Sequence, residues 1–225
     1  MKLSANTLEI LKNFSTINQG ISVKAGSSVG TVSNIKTVLG MATVEEKFPK
    51  DFAIYDLNKF LAKHSLYGDC ELDFQEDRVV FVSSDKKRSD YIRYCSPTLI
   101  TTIPATKSLA VDHPDYSFEL TQKDLDWQRK SAGISGSPNF VFRSDGKKIQ
   151  FVSTDIKDDS SDVSSTTIGD GDGATFEIVM KVEYFKMLDG DYQIDIAKKG
   201  LAKFTNKNKK VVYYIAIESL QSTFG

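Results

Sequence analysis

The chain has 225 residues, enough for two ordinary domains with a core in each. Hydrophobic residues make up 40% and charged residues 26%, a globular composition in which no apolar run approaches the ~18–20 residues of a membrane-spanning helix. The net charge of −1, from 29 basic and 30 acidic residues, excludes a uniformly basic nucleic-acid coat but permits separate basic and acidic faces.

The start, Met1-Lys2-Leu3-Ser4-Ala5-Asn6, lacks a signal peptide's apolar stretch, so a cytoplasmic place is expected. Residues 6–17 read as an amphipathic helix, capped by Asn6 with Glu9 three residues on. Leu8, Ile10, Leu11, Phe14 and Ile17 gather on one side, and Ala5, Glu9, Lys12 and Thr16 on the other. Strands are expected at 21–24, 29–33, 37–44 and 52–55, with Ala25-Gly26 and Asn34 as turns. A second helix follows over 56–66, with Leu57, Phe60, Leu61 and His64 inward and Lys59 and Lys63 outward. Three more strands read at 70–74, 79–83 and 89–95. Cys70 and Cys95 fall in strand-like runs without metal-ligand spacing and read as small buried hydrophobes.

Residues 96–116 break the rhythm. They carry Pro97, Pro104 and Pro114 beside Leu99, Ile100, Ile103, Leu109 and Val111, too apolar for a free linker. Beyond them a strand is expected at 117–120 and a helix at 122–132, with Trp127 as a core aromatic. A hairpin joins 139–143 to 148–154 across Ser144-Asp145-Gly146. Residues 158–165 read as a polar loop, 181–188 as the last helix, and 192–196, 201–204 and 211–218 as closing strands.

The second half repeats the first. Phe52-Ala53-Ile54, Asp56 to Leu61 and Asp69 to Phe74 return in order as Phe176-Glu177-Ile178, Lys181 to Phe185 and Asp191 to Ile196. Two copies of one unit imply two similar domains, placed at 1–110 and 111–225, and favour an array or ring over a single cleft.

Several motifs carry the chain further. They are Met1-Lys2-Leu3-Ser4, Leu11-Lys12-Asn13-Phe14 with Thr16-Ile17-Asn18, and Ala53 to Asn58. Ser89-Asp90-Tyr91, Lys186-Met187 with Gly190-Asp191-Tyr192, and Ala202-Lys203-Phe204 follow. With these the chain resembles the sliding clamps of T-even-type bacteriophages, fold relatives of the eukaryotic proliferating cell nuclear antigen. The resemblance implies an α+β DNA-clamp fold, with two similar domains that each pack two helices on antiparallel sheets. It implies a homotrimeric, six-domain ring around duplex DNA, without catalysis or cofactor, in the cytoplasm of an infected bacterium. The expected partners are the C-terminal peptide of a DNA polymerase, an ATP-driven clamp loader and late transcription factors.

A ring holds DNA by topology, so a few long basic side chains near phosphates suffice. On that reading Lys12, Lys59 and Lys63 face DNA, joined in the second domain by Arg129, Lys130 and Lys186. Ring closure is expected between edge strands: Ser89, Tyr91 and Arg93 on one subunit, Val163, Thr166 and Ile168 on the next. A partner-peptide pocket is expected from Leu99, Ile100, Ile103 and Pro104, packed between the domains near Leu220 and Phe224.

Other chemistries are weaker. Asp170-Gly171-Asp172-Gly173 lacks the spaced ligands of a calcium loop and reads as a turn. Asp155, Asp158, Asp159 and Asp162 read as a solvated acidic loop. His64 and His113 lie far apart without a nucleophile signature, and no Walker or dinucleotide motif is present. The rival readings are a two-domain, β-rich, metal-dependent hydrolase using the acidic loop and a non-clamp adaptor.

Overall fold

Ser4 opens the first helix: its Oγ accepts from the Thr7 amide at 3.2 Å, and α1 runs over Ala5–Ile17. The computed structural model, which describes residues 1–101, 103, 109 and 111–225, therefore moves the cap from Asn6 to Ser4. The reason is a distant partner. Glu46 accepts from both the Ser4 amide and the Thr7 hydroxyl. Burial pushes the Glu46 carboxyl up, but the hydrogen bonds from Thr7 and Ser4 outweigh it and leave it below the usual range. An anion is thereby fixed at the helix N-terminus, where the helix dipole favours it.

The chain divides into two compact units, Met1–Pro104 and Ala105–Gly225, the division falling inside the connector. In the first, α1 is followed by β1 (Ile21–Val23), β2 (Gly26–Val32), β3 (Val38–Phe48), β4 (Phe52–Ile54), α2 (Leu57–Tyr67), β5 (Cys70–Phe74), β6 (Arg78–Ser83) and β7 (Ser89–Arg93). β1 pairs with β4 and β2 with β3, both antiparallel. A separate antiparallel sheet has the order β5-β6-β7, with β7 at its edge. Asp56 caps α2 by accepting from the Lys59 amide at 2.9 Å. Ile10, Phe14, Leu57 and Phe60 bury the apolar faces of both helices.

The second unit has β8 (Tyr116–Leu120), α3 (Gln122–Ser135), β9 (Asn139–Asp145), β10 (Lys148–Thr154), β11 (Ser164–Asp170), β12 (Thr175–Lys181), β13 (Tyr192–Ala197), β14 (Leu201–Asn206), β15 (Val211–Ala216) and β16 (Thr223–Phe224). One antiparallel sheet has the order β11-β10-β9-β12-β16, with β11 at an edge; in the other, β8, β13, β14 and β15 lie side by side. Phe118, Phe140, Phe142, Phe151, Phe185 and Phe204 fill the core, with Phe142–Phe151 centroids at 4.6 Å and Phe140–Phe185 at 4.8 Å.

Residues 181–188 do not form the expected fourth helix. Only Val182–Tyr184 makes a 3-10 turn, and Phe185 leaves helical geometry at ψ 53°. Tyr184, Phe185, Met187 and Leu188 are all buried. Side chains from elsewhere satisfy its backbone instead. The Arg129 guanidinium donates to the carbonyls of Phe185 at 2.9 Å and Met187 at 3.3 Å, and the Leu188 amide donates to the Tyr213 hydroxyl at 3.2 Å. The first unit thus has two α-helices and the second has one among the described residues.

The helices keep the repeat visible. Thr7, Ile10 and Phe14 are buried in α1 at the spacing of Leu125, Gln128 and Ala132 in α3. The position of Ile10 is taken in α3 by Gln128, which is wholly buried. Gln128 Nε2 donates to the Phe151 carbonyl and to Thr166 Oγ1, each at 3.0 Å. No helix among the described residues is long and apolar enough to cross a membrane.

Candidate functional site

The polar faces of the helices hold the basic candidates. On α1, Ala5, Glu9, Lys12 and Thr16 are exposed in one stripe, with Lys12 at its middle. On α3 the matching stripe is Lys123, Trp127, Lys130 and Ile134, which places Lys130 where α1 has Lys12. Trp127 is therefore not a core aromatic: it is 64% exposed, because the inward positions of α3 are Leu125, Gln128 and Ala132. Lys123 completes the stripe at seven residues from Lys130, a spacing already present in the sequence but not used in the expectation.

The other basic candidates divide by what holds them. Lys59 is exposed on α2, whereas Lys63 is half-buried and ion-paired to Asp90 of β7. The hydrogen bond from Lys63 holds the Asp90 carboxyl below the usual range. Arg129 is engaged by the two carbonyls already described and lies 3.5 Å from an Asp189 carboxylate oxygen. Its guanidinium anchors the 182–188 segment rather than projecting freely. Lys186 is exposed within that segment.

Both expected closing strands are sheet edges. β7 has β6 on one side, with Tyr91 opposite Val80. Tyr91 is half-exposed, and the guanidinium carbons of Arg78 and Arg93 lie 5.0 and 5.6 Å from its ring centre. Asp77 joins the two arginines, accepting from Arg78 Nε at 2.7 Å and Arg93 at 2.5 Å. A hollow of 370 Å³ between α2 and β7 is lined by Lys59, Lys63, Tyr91 and Arg93 among others. Two residue sets assigned separately from sequence, those for DNA and those for closure, thus meet in the first unit.

At the other edge, β11 has β10 on one side only. Its register skips Ile168, a bulge beside Ile149 and Gln150. Thr166 accepts from Gln128, as described, and Val163 just before the strand is exposed. Ser89 and Arg93 lie at the two ends of β7.

The peptide-pocket residues fall in different places. Ile100 is buried and Ile103 partly so, and both line a 290 Å³ hollow of the first unit with Gly20, Ile21, Gly30, Val32 and Pro97. Leu99 is exposed, and Pro104 lies outside the described residues. In the second unit Leu220 is fully exposed, while Phe224 pairs in register with Phe176 of β12 and stacks on Tyr116 at 6.4 Å.

The acidic segments serve their own turns. Asp155 accepts from the Lys157 amide and Asp158 from the Ser160 amide, each at 2.9 Å, and Asp172 from the Ala174 amide at 3.1 Å. Among the described residues, no group of three His, Cys, Asp or Glu side chains is placed to hold a metal ion.

His64 is 6% exposed on α2, and its Nε2 has no hydrogen-bond partner among the described residues. Burial pushes its pKa below the ordinary 6.5. The unfolded chain then takes up this proton more readily, so the contribution of neutral His64 is complete above about pH 6.5 and is lost as pH falls through the folded-state value. His64→Leu should therefore lose less melting temperature than wild type between pH 7.5 and pH 5. Equal losses would mean that His64 carries no part of the acid sensitivity.

Comparison with known proteins follows the same two-unit division. A family model described as DNA polymerase processivity factor matches residues 3–94, and one described as the C-terminal part of the gp45 sliding clamp matches residues 117–219. The chain belongs to the sliding-clamp family. It is 31% identical over 224 residues to the sliding clamp of Vibrio phage KVP40, covering 98% of this chain and 100% of that one. It is 30% identical over 227 residues to the sliding clamp of Enterobacteria phage T4, covering 97% of each. Among solved structures, the proliferating cell nuclear antigen of Entamoeba histolytica shares the fold at TM-score 0.71 and 10% identity, over 96% of this clamp and 97% of that chain. That of A. fulgidus, solved with the C-terminal region of FEN-1, does so at 0.69 and 12%, over 94% of each chain. The clamp is thus a DNA polymerase processivity factor of bacteriophage type and not an enzyme.

Proposed function

We propose that three copies of this clamp close head to tail into a ring around duplex DNA and tether a replicative polymerase. One observation carries the reading: each unit ends a sheet in an uncovered strand, β7 in the first and β11 in the second. An uncovered edge has unpaired backbone donors and acceptors, and a β7-to-β11 join between copies satisfies both edges at once. Three such joins make six clamp domains with no free edge of this kind. Topology then does the holding. Lys12, Lys59, Lys63, Lys130 and Lys186 meet phosphates without reading bases. Arg129 supports that surface through the segment it anchors.

On this reading an ATP-driven loader opens one join to admit DNA, in the cytoplasm of the infected bacterium. The C-terminal peptide of the polymerase binds at the hollow bordered by Ile100 and Ile103. The A. fulgidus relative, solved with a C-terminal region of another protein, supports that mode. Late transcription factors use the same ring as a mobile contact on DNA.

A topological ring leaves DNA by its ends. Loaded clamp should stay on circular DNA and escape within minutes of linearisation, whereas equal retention on both forms would reject encirclement. Lys12→Ala, Lys59→Ala and Lys63→Ala combined should keep the fold, weaken retention on circular DNA and flatten its salt dependence. About 0.9 unit of log–log salt slope is lost per phosphate contact removed. Retention unchanged at every salt concentration would remove these lysines from the DNA surface.

A further inference from the structure

We infer that the exposed stripe of α3 is a binding surface for single-stranded nucleic acid, with Trp127 stacking on an unpaired base. The inference rests on the ring reading only for where the strand comes from, namely the unpaired template beside a primer end. The stripe consists of Lys123, Trp127, Lys130 and Ile134. Trp127 is 64% exposed and Ile134 is 88% exposed, a costly arrangement for a helix that faces water alone. Lys123 lies one turn before the indole and Lys130 one turn after it, about 10 Å apart at 1.5 Å rise per residue. That spacing reaches phosphates on either side of one stacked base. Asp126 accepts from Gln122 Nε2 at 2.7 Å, and Asp124 accepts from the Thr121 hydroxyl at 2.6 Å at the start of the helix.

The chemistry selects the ligand. Two cations on a face without a central carboxylate call for a polyanion. An indole between them calls for a free π-face, and base–aromatic stacking is the sequence-tolerant way single strands are held. Duplex DNA offers a helix phosphates, sugars and base edges but no free base face, since its bases are already stacked; lysines alone serve its backbone, the role proposed for Lys12 on the matching stripe of α1. The first unit has Glu9 where α3 has Trp127, so the aromatic site belongs to the second unit alone.

Trp127 is the single tryptophan of the chain, so its emission reports the site directly. Titrating the full-length protein with an oligo(dT) 20-mer should quench that emission, less so at raised salt. A 20-base-pair duplex should quench it far less. With a labelled oligo(dT), Trp127→Ala should weaken binding roughly 5- to 100-fold, from the usual worth of one stacked base, and Trp127→Phe less. Lys123→Ala with Lys130→Ala should lower the salt slope, at an unchanged melting temperature. Equal or stronger quenching by duplex would overturn single-strand selectivity. No quenching by either, with retention on circular DNA intact, would overturn the inference and leave the ring standing. An emission change with protein concentration alone would assign the stripe to a second copy and overturn it likewise. Loss of circular-DNA retention in wild type would instead count against the ring reading.

Discussion

Tyr91→Pro or Ile168→Pro is expected to convert the proposed trimer to monomers, read as a roughly threefold fall in mass by sedimentation. Proline removes a backbone donor and does not suit a strand flanked on both sides. Within one copy neither strand is flanked on both sides: β7 leans on β6 and β11 on β10. Ile168 is the safer of the two positions, because the β10–β11 register already skips it as a bulge. Its proline variant should keep the monomer's melting profile while losing assembly. Tyr91 sits at the centre of β7, between Arg78 and Arg93, so its variant also disturbs that cation–π group. A trimer that persists in both variants would place the join on other strands.

Gly20→Ala is expected to lower stability and partner-peptide affinity together. A Cβ at Gly20 would stand 2.3 Å from Ile100 Cδ1 and 3.1 Å from the carbonyl oxygens of Ile54 and Tyr55. The Ile100 tip is the end of a flexible side chain and can turn aside, whereas the two backbone carbonyls must give by a few tenths of an ångström. Overpacking of this kind costs about 1–3 kcal/mol. Ile103 stands in the same relation to Gly30, with Cδ1 2.8 Å from a built Cβ. The two isoleucines thus sit in sockets that only glycine leaves open. Ile100→Ser should cost about 2–5 kcal/mol, as a buried truncation does. Ile103→Ser, at the partly exposed rim, should weaken binding of a polymerase C-terminal peptide with little change in melting temperature. If Gly20→Ala left both melting and binding unchanged, neither a seal nor a pocket wall could be assigned to Ile100.

These expectations show which interactions a linear sequence carries. The inward faces of α1 and α2 follow from spacing alone, and Ile10, Phe14, Leu57, Phe60 and His64 are buried where the periodicity puts them. The edge character of β7 is legible too, since Ser89-Asp90-Tyr91-Ile92-Arg93 is a short run with polar residues at three of its five positions. What stayed hidden depends on partners distant in the chain. Glu46 moves the helix start to Ser4 from 42 residues away. Arg129, 56 and 58 residues away, donates to the Phe185 and Met187 carbonyls and so holds an irregular backbone where a helix was expected over 181–188. Asp90 claims Lys63 across 27 residues. Trp127 misled for another reason: aromatic residues are usually buried, and the wheel that exposes Lys130 exposes Trp127 with it. Among the basic candidates, those on regular helix faces were readable, while the engagement of Arg129 was not.

Gln128 ties the second unit together by a buried amide where the first unit has the apolar Ile10. Its amide spans from the inner side of α3 to the backbone of β10 and the side chain of β11. At the place where α1 has the apolar contact of Ile10, α3 is held by directional bonds. Helix and edge strand must therefore move as one body. Each edge strand is thus tied to a helix by a different kind of bond: β11 to α3 through a buried neutral amide, β7 to α2 through the half-buried Lys63–Asp90 ion pair, which alone of the two is open to screening by salt.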